Sequence, residues 1–283
     1  MMKFSLPVAF IVISLSLGGC KENEELVGRA GEIISDRVVL VEDFTAVRCP
    51  NCPKAATEIK SLEEKYPENI VTIAYHTGNL ANPITKQGFE SKYDFRTDEG
   101  QELESSLGGF LGQPAIGINR KKFDPQQELI LSNIFILGNF DTELKSIPKV
   151  KISIKNNYDA TSRKLLSAVT IIPQVASTGQ YRLHALLTES HILDSQEDQT
   201  SHIKDYEHNH VFRKMLSDIT GDEIGLTLTP GKDIVRFYEF YFPPEAGWWV
   251  AENCSFVAFV SDLDLKTYEV GAVIQAAEEK VAE

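Results

Sequence analysis

The chain has 283 residues, 42% of them hydrophobic and 24% charged, ordinary proportions for globular protein with length enough for two domains. Its formal charge of −13 excludes the cationic surface that tracks nucleic-acid phosphates or binds anionic lipid headgroups.

The N-terminus reads as a secretory signal over residues 1–19. Lys3 is a positive start, and an apolar stretch over 6–17 is interrupted only by Pro7, Ser14 and Ser16, too short to span a bilayer comfortably. Leu17-Gly18-Gly19-Cys20 resembles a bacterial lipobox. The resemblance implies that Cys20 is acylated and becomes the mature N-terminus, anchored to the membrane by lipid without crossing it. The other reading is an ordinary signal peptide that contains a cysteine. Loss of Lys3 with the signal takes the formal charge from −13 to −14. A charged tether over 20–35 opens with Lys21-Glu22-Asn23-Glu24-Glu25. It resembles the acidic signals that send some Bacteroidota lipoproteins to the outer face of the outer membrane, and it also reads as a solvated linker.

Residues 36–147 alternate strand and helix. An almost unbroken apolar run over 38–44 predicts a strand buried on both faces. Cys49-Pro50-Asn51-Cys52 follows, then a helix from Pro53 with Ala55, Ala56, Ile59, Leu62 and Tyr66 on one stripe, stopping at Pro67. Residues 70–75 are a second strand, so the spacing predicts a right-handed βαβ unit with a parallel pair. A polar segment over 76–109 carries a helix near 98–107, 115–119 is a third strand, and a helix over 131–146 ends this half. Beyond Pro148 the pattern changes to short strands near 150–154, 166–172, 181–187, 211–216, 235–242, 255–261 and 268–274. Turn residues separate them, which predicts a β-sandwich over 148–283, with the polar stretch 190–209 as a loop or excursion.

Two thiols at a helix start can close a small disulfide, and the helix dipole stabilises a thiolate there. In such a site Cys49, nearer solvent, attacks or is attacked, Cys52 one turn deeper resolves the mixed disulfide, and Arg48 lowers the thiol pKa further. The surroundings resemble thioredoxin. Asp43 lies in the strand six positions before Cys49, as the buried acid of thioredoxins does, and Gly112-Gln113-Pro114 leads into a strand where that pattern has its cis-proline. The resemblance implies that Asp43 exchanges a proton with Cys52 and that Pro114 shapes the surface on which a substrate chain lies. Arg48 stands where the usual tryptophan would, and Pro50-Asn51 is neither Gly-Pro nor Gly-His, so the direction of electron flow stays open. A disulfide that only staples the helix start is the other reading.

The lipobox, Glu42-Asp43-Phe44-Thr45-Ala46 before Cys-x-x-Cys-Pro, Gly-Gln-Pro before Ile118-Asn119-Arg120, and residues 206–213 together resemble the outer membrane protein 28-related lipoproteins. That resemblance implies an α/β thioredoxin-like domain followed by an all-β immunoglobulin-like sandwich on an outer-membrane lipid anchor, and no settled activity. The expected function is thiol–disulfide exchange on extracytoplasmic protein thiols or disulfides. The alternative is a non-enzymatic surface binding or adhesion lipoprotein built on a disulfide-stapled scaffold.

Weaker signals point to structure. His208 and His210, with His191 and His202 before them and Asp205 and Glu207 beside them, read as a hydrogen-bonded loop-to-strand junction rather than a metal site. Asp262-Leu263-Asp264 is too short for a calcium loop. Trp248-Trp249 reads as core or as a stacking pair. Cys254, in an apolar strand, reads as a buried, inert thiol. No cofactor, metal or nucleic-acid partner is expected.

Overall fold

The computed structural model describes residues 36–123, 129–131, 136–243, 249–263 and 271–282. The expected signal peptide, Cys20 and the tether lie outside these residues, as do Trp248 and Asp264. Strand β1 (Val39–Thr45) is buried at every position, as its apolar run predicts. One face takes helix α1 (Cys52–Lys65), whose Ala55, Ile59 and Leu62 pack against Val39 and Val41. The other face joins Phe44 to Tyr75, Phe212 and Phe259. Pro53 sits in the first turn of α1, where its missing N–H is no loss. Strand β2 (Ile70–His76) runs parallel to β1 in a register from Val39↔Ile70 to Thr45↔His76. Helix α2 (Asp98–Ser106) starts at Thr97, whose side chain accepts from the Gly100 N–H. Strand β3 (Ala115–Ile118) is antiparallel to β1, and a two-residue strand β4 (Ile130–Leu131) flanks it. Helix α3 (Ile136–Leu144) is shorter than the helix expected over 131–146.

The remaining strands are β5 (Val150–Asp159), β6 (Lys164–Pro173), β7 (Ser177–Glu189), β8 (Ile192–Glu197), β9 (His202–His208), β10 (Val211–Met215), β11 (Asp222–Leu228), β12 (Ile234–Tyr241), β13 (Cys254–Asp262) and β14 (Ala272–Lys280). Nine strands form one mixed sheet in the order β14-β13-β7-β10-β2-β1-β3-β4, with β11 added on β7. A second sheet, β12-β6-β5, buries Leu165, Val169 and Ile171 against Leu183, Phe256 and Val260 of the first. Strands β8 and β9 pair only with each other, so the polar stretch 190–209 is a hairpin.

This architecture corrects the expected fold class. An α/β thioredoxin-like domain followed by an all-β immunoglobulin-like sandwich would keep the first four strands in a sheet of their own. Instead β2 continues into β10, where the Ala74 N–H donates to the His210 carbonyl at 2.8 Å, and the sheet runs on through β7, β13 and β14. The last strand also returns to the first. The Val38 N–H donates to Gln275 Oε1 at 3.0 Å, the Val273 N–H donates to the Asn119 carbonyl at 2.8 Å, and buried Arg37 donates to the carbonyls of Val273 and Ile274. Periodicity reports that a strand is buried on one face or two; it carries no information on which strand lies at its edge. The molecule is predominantly β-structure, with its strands shared across both halves of the chain.

Candidate functional site

Cys49 and Cys52 form a disulfide with Cα atoms 5.4 Å apart. The turn that holds them is fixed by its backbone: the Cys49 N–H donates to Ala46 at 3.1 Å and the Cys52 N–H to Cys49 at 3.2 Å. Cys52 then begins α1. The pair packs on Ala46 and Ala81 and is covered by the β8–β9 hairpin. Gln196, itself buried, donates through Nε2 to the carbonyls of Ala46 and Cys49, both at 3.2 Å, and of Glu197 at 2.9 Å. The Glu197 N–H reaches the Val47 carbonyl at 2.8 Å, and the Gln199 amide reaches Asn51 Oδ1. Cys49, expected nearer solvent, is 1% exposed. Arg48 is half-buried; its N–H donates to Leu80 at 3.0 Å and its guanidinium to the Pro83 carbonyl. The Gln113–Pro114 peptide is cis, and Gln113 Nε2 donates to the carbonyls of Thr45 and Thr77 at the ends of β1 and β2.

Cys52, expected to be the deeper sulfur, borders a cavity of about 530 Å³ between α1, the ends of β1 and β2, and the chain from β9 into β10. Period-two alternation puts Asp43 and Thr45 of β1, with Thr72, Ala74 and His76 of β2, on its floor. Asp43 is 4% exposed, and its Oδ1 has no hydrogen-bond partner among the described residues. Burial pushes its carboxyl up to about 7 against the opposing pull of His210. Burial pushes His76 down to about 3, so its imidazole is neutral, and its Nδ1 is unpartnered. Burial and the neighbouring His76 also hold His208 well below the usual histidine value, with the backbone of Ser195 opposing. His208 Nε2 has no partner.

Aromatic rings pack on these histidines, Tyr206 from the cavity wall and Phe95 from outside its lining. Phe95 lies 4.7 Å from both His76 and His208, and Tyr206 meets His208 edge-on at 4.8 Å. The Tyr206 hydroxyl is pushed up to about 12 by burial first and by the Asp43 charge second. His210 pairs with Glu63 at 3.1 Å. Burial opposes charge on both, yet the bond between them raises the histidine and lowers the acid. Lys60 and Glu63 of α1, His191, Glu207 and His210 beside the hairpin, and Lys280 of β14 are the other titratable groups of the wall. Among the described residues no three His, Cys, Asp or Glu side chains come together as a metal site.

The structure therefore brings Asp43 and Cys52 to one cavity, and sets Cys49, Arg48 and Pro114 around its sealed side or beyond it. Sequence reasoning missed His76, Tyr206 and Gln196. His76 was recoverable from alternation, two residues beyond Ala74 on the face that Asp43 shares. His191 and His202 instead make exposed contacts, with Glu207 at 2.6 Å and with Lys86 and the Phe89 ring. Trp249 packs on Phe240 and Phe242, and Cys254 is fully buried with its thiol pushed up by that burial.

The family model described as outer membrane protein Omp28 matches residues 105–283, more than half of the chain. A crystal structure of an Agrobacterium tumefaciens protein is similar in fold, with a TM-score of 0.52 at 12% identity over 88% of this chain and 97% of that one. That match takes in both halves of the chain together. A domain of the outer membrane lipoprotein Omp28 from Porphyromonas gingivalis is 23% identical over 48% of this chain and 91% of its own length, with a TM-score of 0.32. No curated protein matches. The chain belongs to the outer membrane protein Omp28 family, and its location is the outer membrane.

Proposed function

We propose that this protein is a lipoprotein, tethered to the outer membrane through an acylated Cys20, that binds a ligand in the cavity beside Cys52 and does not exchange disulfides with other proteins. The acidic tether after Cys20 supports display on the outer face of that membrane. The observation that carries the reading is Cys49 lying 1% exposed beneath Gln196 and the β8–β9 hairpin. Exchange requires a thiolate to attack a disulfide sulfur through a mixed disulfide, so access limits it. A polypeptide substrate has no such access here. The disulfide instead pins the turn before α1 to the helix's first residue and so fixes one wall of the cavity.

Alkylation tests this. Native protein treated with dithiothreitol and iodoacetamide is expected to carry no label at Cys49 or Cys52 and to leave insulin reduction unaccelerated; the same treatment in urea is expected to label both. Rapid labelling of the native pair together with turnover of insulin would establish exchange instead. One observation favours a second, narrower reading, exchange with small thiols alone: Cys52 faces the same cavity as Asp43. A small thiol entering there would attack the Cys52 sulfur, form a mixed disulfide with it and release Cys49 as thiolate. A native protein that is glutathionylated at Cys52 yet inert toward insulin is the result this reading expects.

A further inference from the structure

Resting on the binding reading, we propose that the cavity beside Cys52 takes a small organic cation, an ammonium or guanidinium group held by Asp43 and enclosed by the rings of His76, His208 and Tyr206. Four buried polar atoms on its wall have no partner among the described residues: Asp43 Oδ1, His76 Nδ1, His208 Nε2 and His210 Nδ1. Buried polar atoms are almost always satisfied, because leaving one unpaired destabilises the fold. Four converging on one cavity mark a place where partners come from outside the chain.

The chemistry of that partner follows from what the atoms offer. A carboxylate only accepts hydrogen bonds. His208 is held to the Ser195 backbone by its other nitrogen, so Nε2 presents a lone pair. His76 is neutral and adds at most one donor. The open acceptors on Asp43 and His208 call for a donor-rich ligand, and a cation also supplies the charge that Asp43 lacks. An anion would meet the Asp43 carboxylate; the cations of the wall are Lys60, Lys280 and His210, and His210 is already paired with Glu63. A bare metal ion is disfavoured because no three ligating side chains are set for one among the described residues. An ammonium or guanidinium needs no such convergence. It is held by one carboxylate and by ring faces, the arrangement of aromatic cation sites. The cavity volume of about 530 Å³ suits a ligand of a few to a dozen heavy atoms. His210, whose pull on the Asp43 carboxyl opposes burial, is already paired with Glu63, so a ligand cation would be a second partner that favours the Asp43 carboxylate. The negative chain as a whole draws cations toward it.

Calorimetry on the full mature chain tests this with agmatine and 1,5-diaminopentane as probes, pentane-1,5-diol as the neutral counterpart and zinc chloride as the metal. Expected are saturable one-to-one binding of at least one amine, no binding of the diol, and affinity about tenfold or more weaker in Asp43→Asn. Tyr206→Leu, judged folded by its circular dichroism, is expected to weaken the amine several-fold while leaving Asp43 in place. The proposal is overturned if neither amine binds more tightly than the diol, or if neither variant weakens binding. Zinc binding that His76→Ala abolishes, with the amines silent, also overturns it in favour of a metal. Insulin reduction is measured on the same samples. Silent amines with an inert disulfide remove the cation alone, whereas insulin turnover removes the binding reading itself.

Discussion

Glu42 and Asp43 are consecutive residues of β1, both shielded from water, and the strand's pleat sends them to opposite faces. Glu42 enters the packed face, where Arg120 donates from Nε at 3.0 Å and from Nη2 at 2.8 Å, and the Tyr75 hydroxyl stands at 3.4 Å. Arg120 in turn lies over the Phe259 ring at 4.8 Å. Asp43 enters the cavity with an oxygen that nothing in the described protein bonds. One carboxylate is satisfied by the fold and ties β1 to β3 and β13. The other is left wanting a partner. Burial alone does not separate architecture from a site; the state of the hydrogen bonds does.

Removing the guanidinium should therefore be the more damaging change. Arg120→Met leaves Glu42 buried and uncompensated, and urea denaturation at pH 7 is expected to show a loss of about 3–5 kcal/mol. A loss below about 1 kcal/mol would mean that Glu42 takes up a proton or that water reaches the pair.

Asp43 should behave in the opposite sense. Its folded pKa, about 7, lies above the ordinary aspartate value, so the protonated form favours folding. That contribution is full below about pH 4 and is lost as pH rises through about 7. Asp43→Asn removes the loss: it should stabilise the protein by on the order of 3 kcal/mol at pH 8 and leave it nearly unchanged at pH 4. His76 runs the other way. Its folded pKa of about 3 lies below the ordinary value, so its contribution is present above about pH 6.5 and disappears as pH falls toward 3. Comparing the variant with the parent at each pH cancels the histidine and isolates the acid. Equal stability of the two at pH 8 would show Asp43 to be satisfied after all.

The smallest change concerns the lid over the disulfide. Gln196→Ala deletes the donor shared by the carbonyls of Ala46, Cys49 and Glu197 and is expected to cost about 1–2 kcal/mol. It should also speed reduction of Cys49–Cys52 by dithiothreitol in the native protein. An unchanged reduction rate would assign the protection to Ala46 and Ala81 instead of the hairpin.

How much of this was readable in advance differs along the chain. The run over 38–44, the helix from Pro53 and the strand over 70–75 were legible, because a two-faced apolar strand and a 3.6-residue stripe are local patterns; β1, α1 and β2 lie within a few residues of those expectations. Asp43 stood out by its place before the cysteines. The continuity of the sheet from β2 into β10 was hidden, since strands some 135 residues apart leave no joint signature in one sequence. The lid was hidden for another reason. Beside Ile192 and His208 it buries Asp194, Ser195 and Gln196, each no more than 2% exposed, and polar side chains of this kind do not read as core. The cavity was invisible with it, because Gln196, Tyr206, Glu207 and His208 of the lid form part of its wall.

Arg37 and Val38 lead into β1, yet groups that receive their hydrogen bonds belong to β14. Asp36 is clasped in the same way, its carbonyl accepting from Gln275 Nε2 at 2.8 Å. A polypeptide halted before residue 272 would lose the two carbonyls that receive the Arg37 guanidinium, which keeps Glu143 at 3.4 Å. The chain leading into β1 is thus held by a strand more than 230 residues further on, and its full seating waits on that strand.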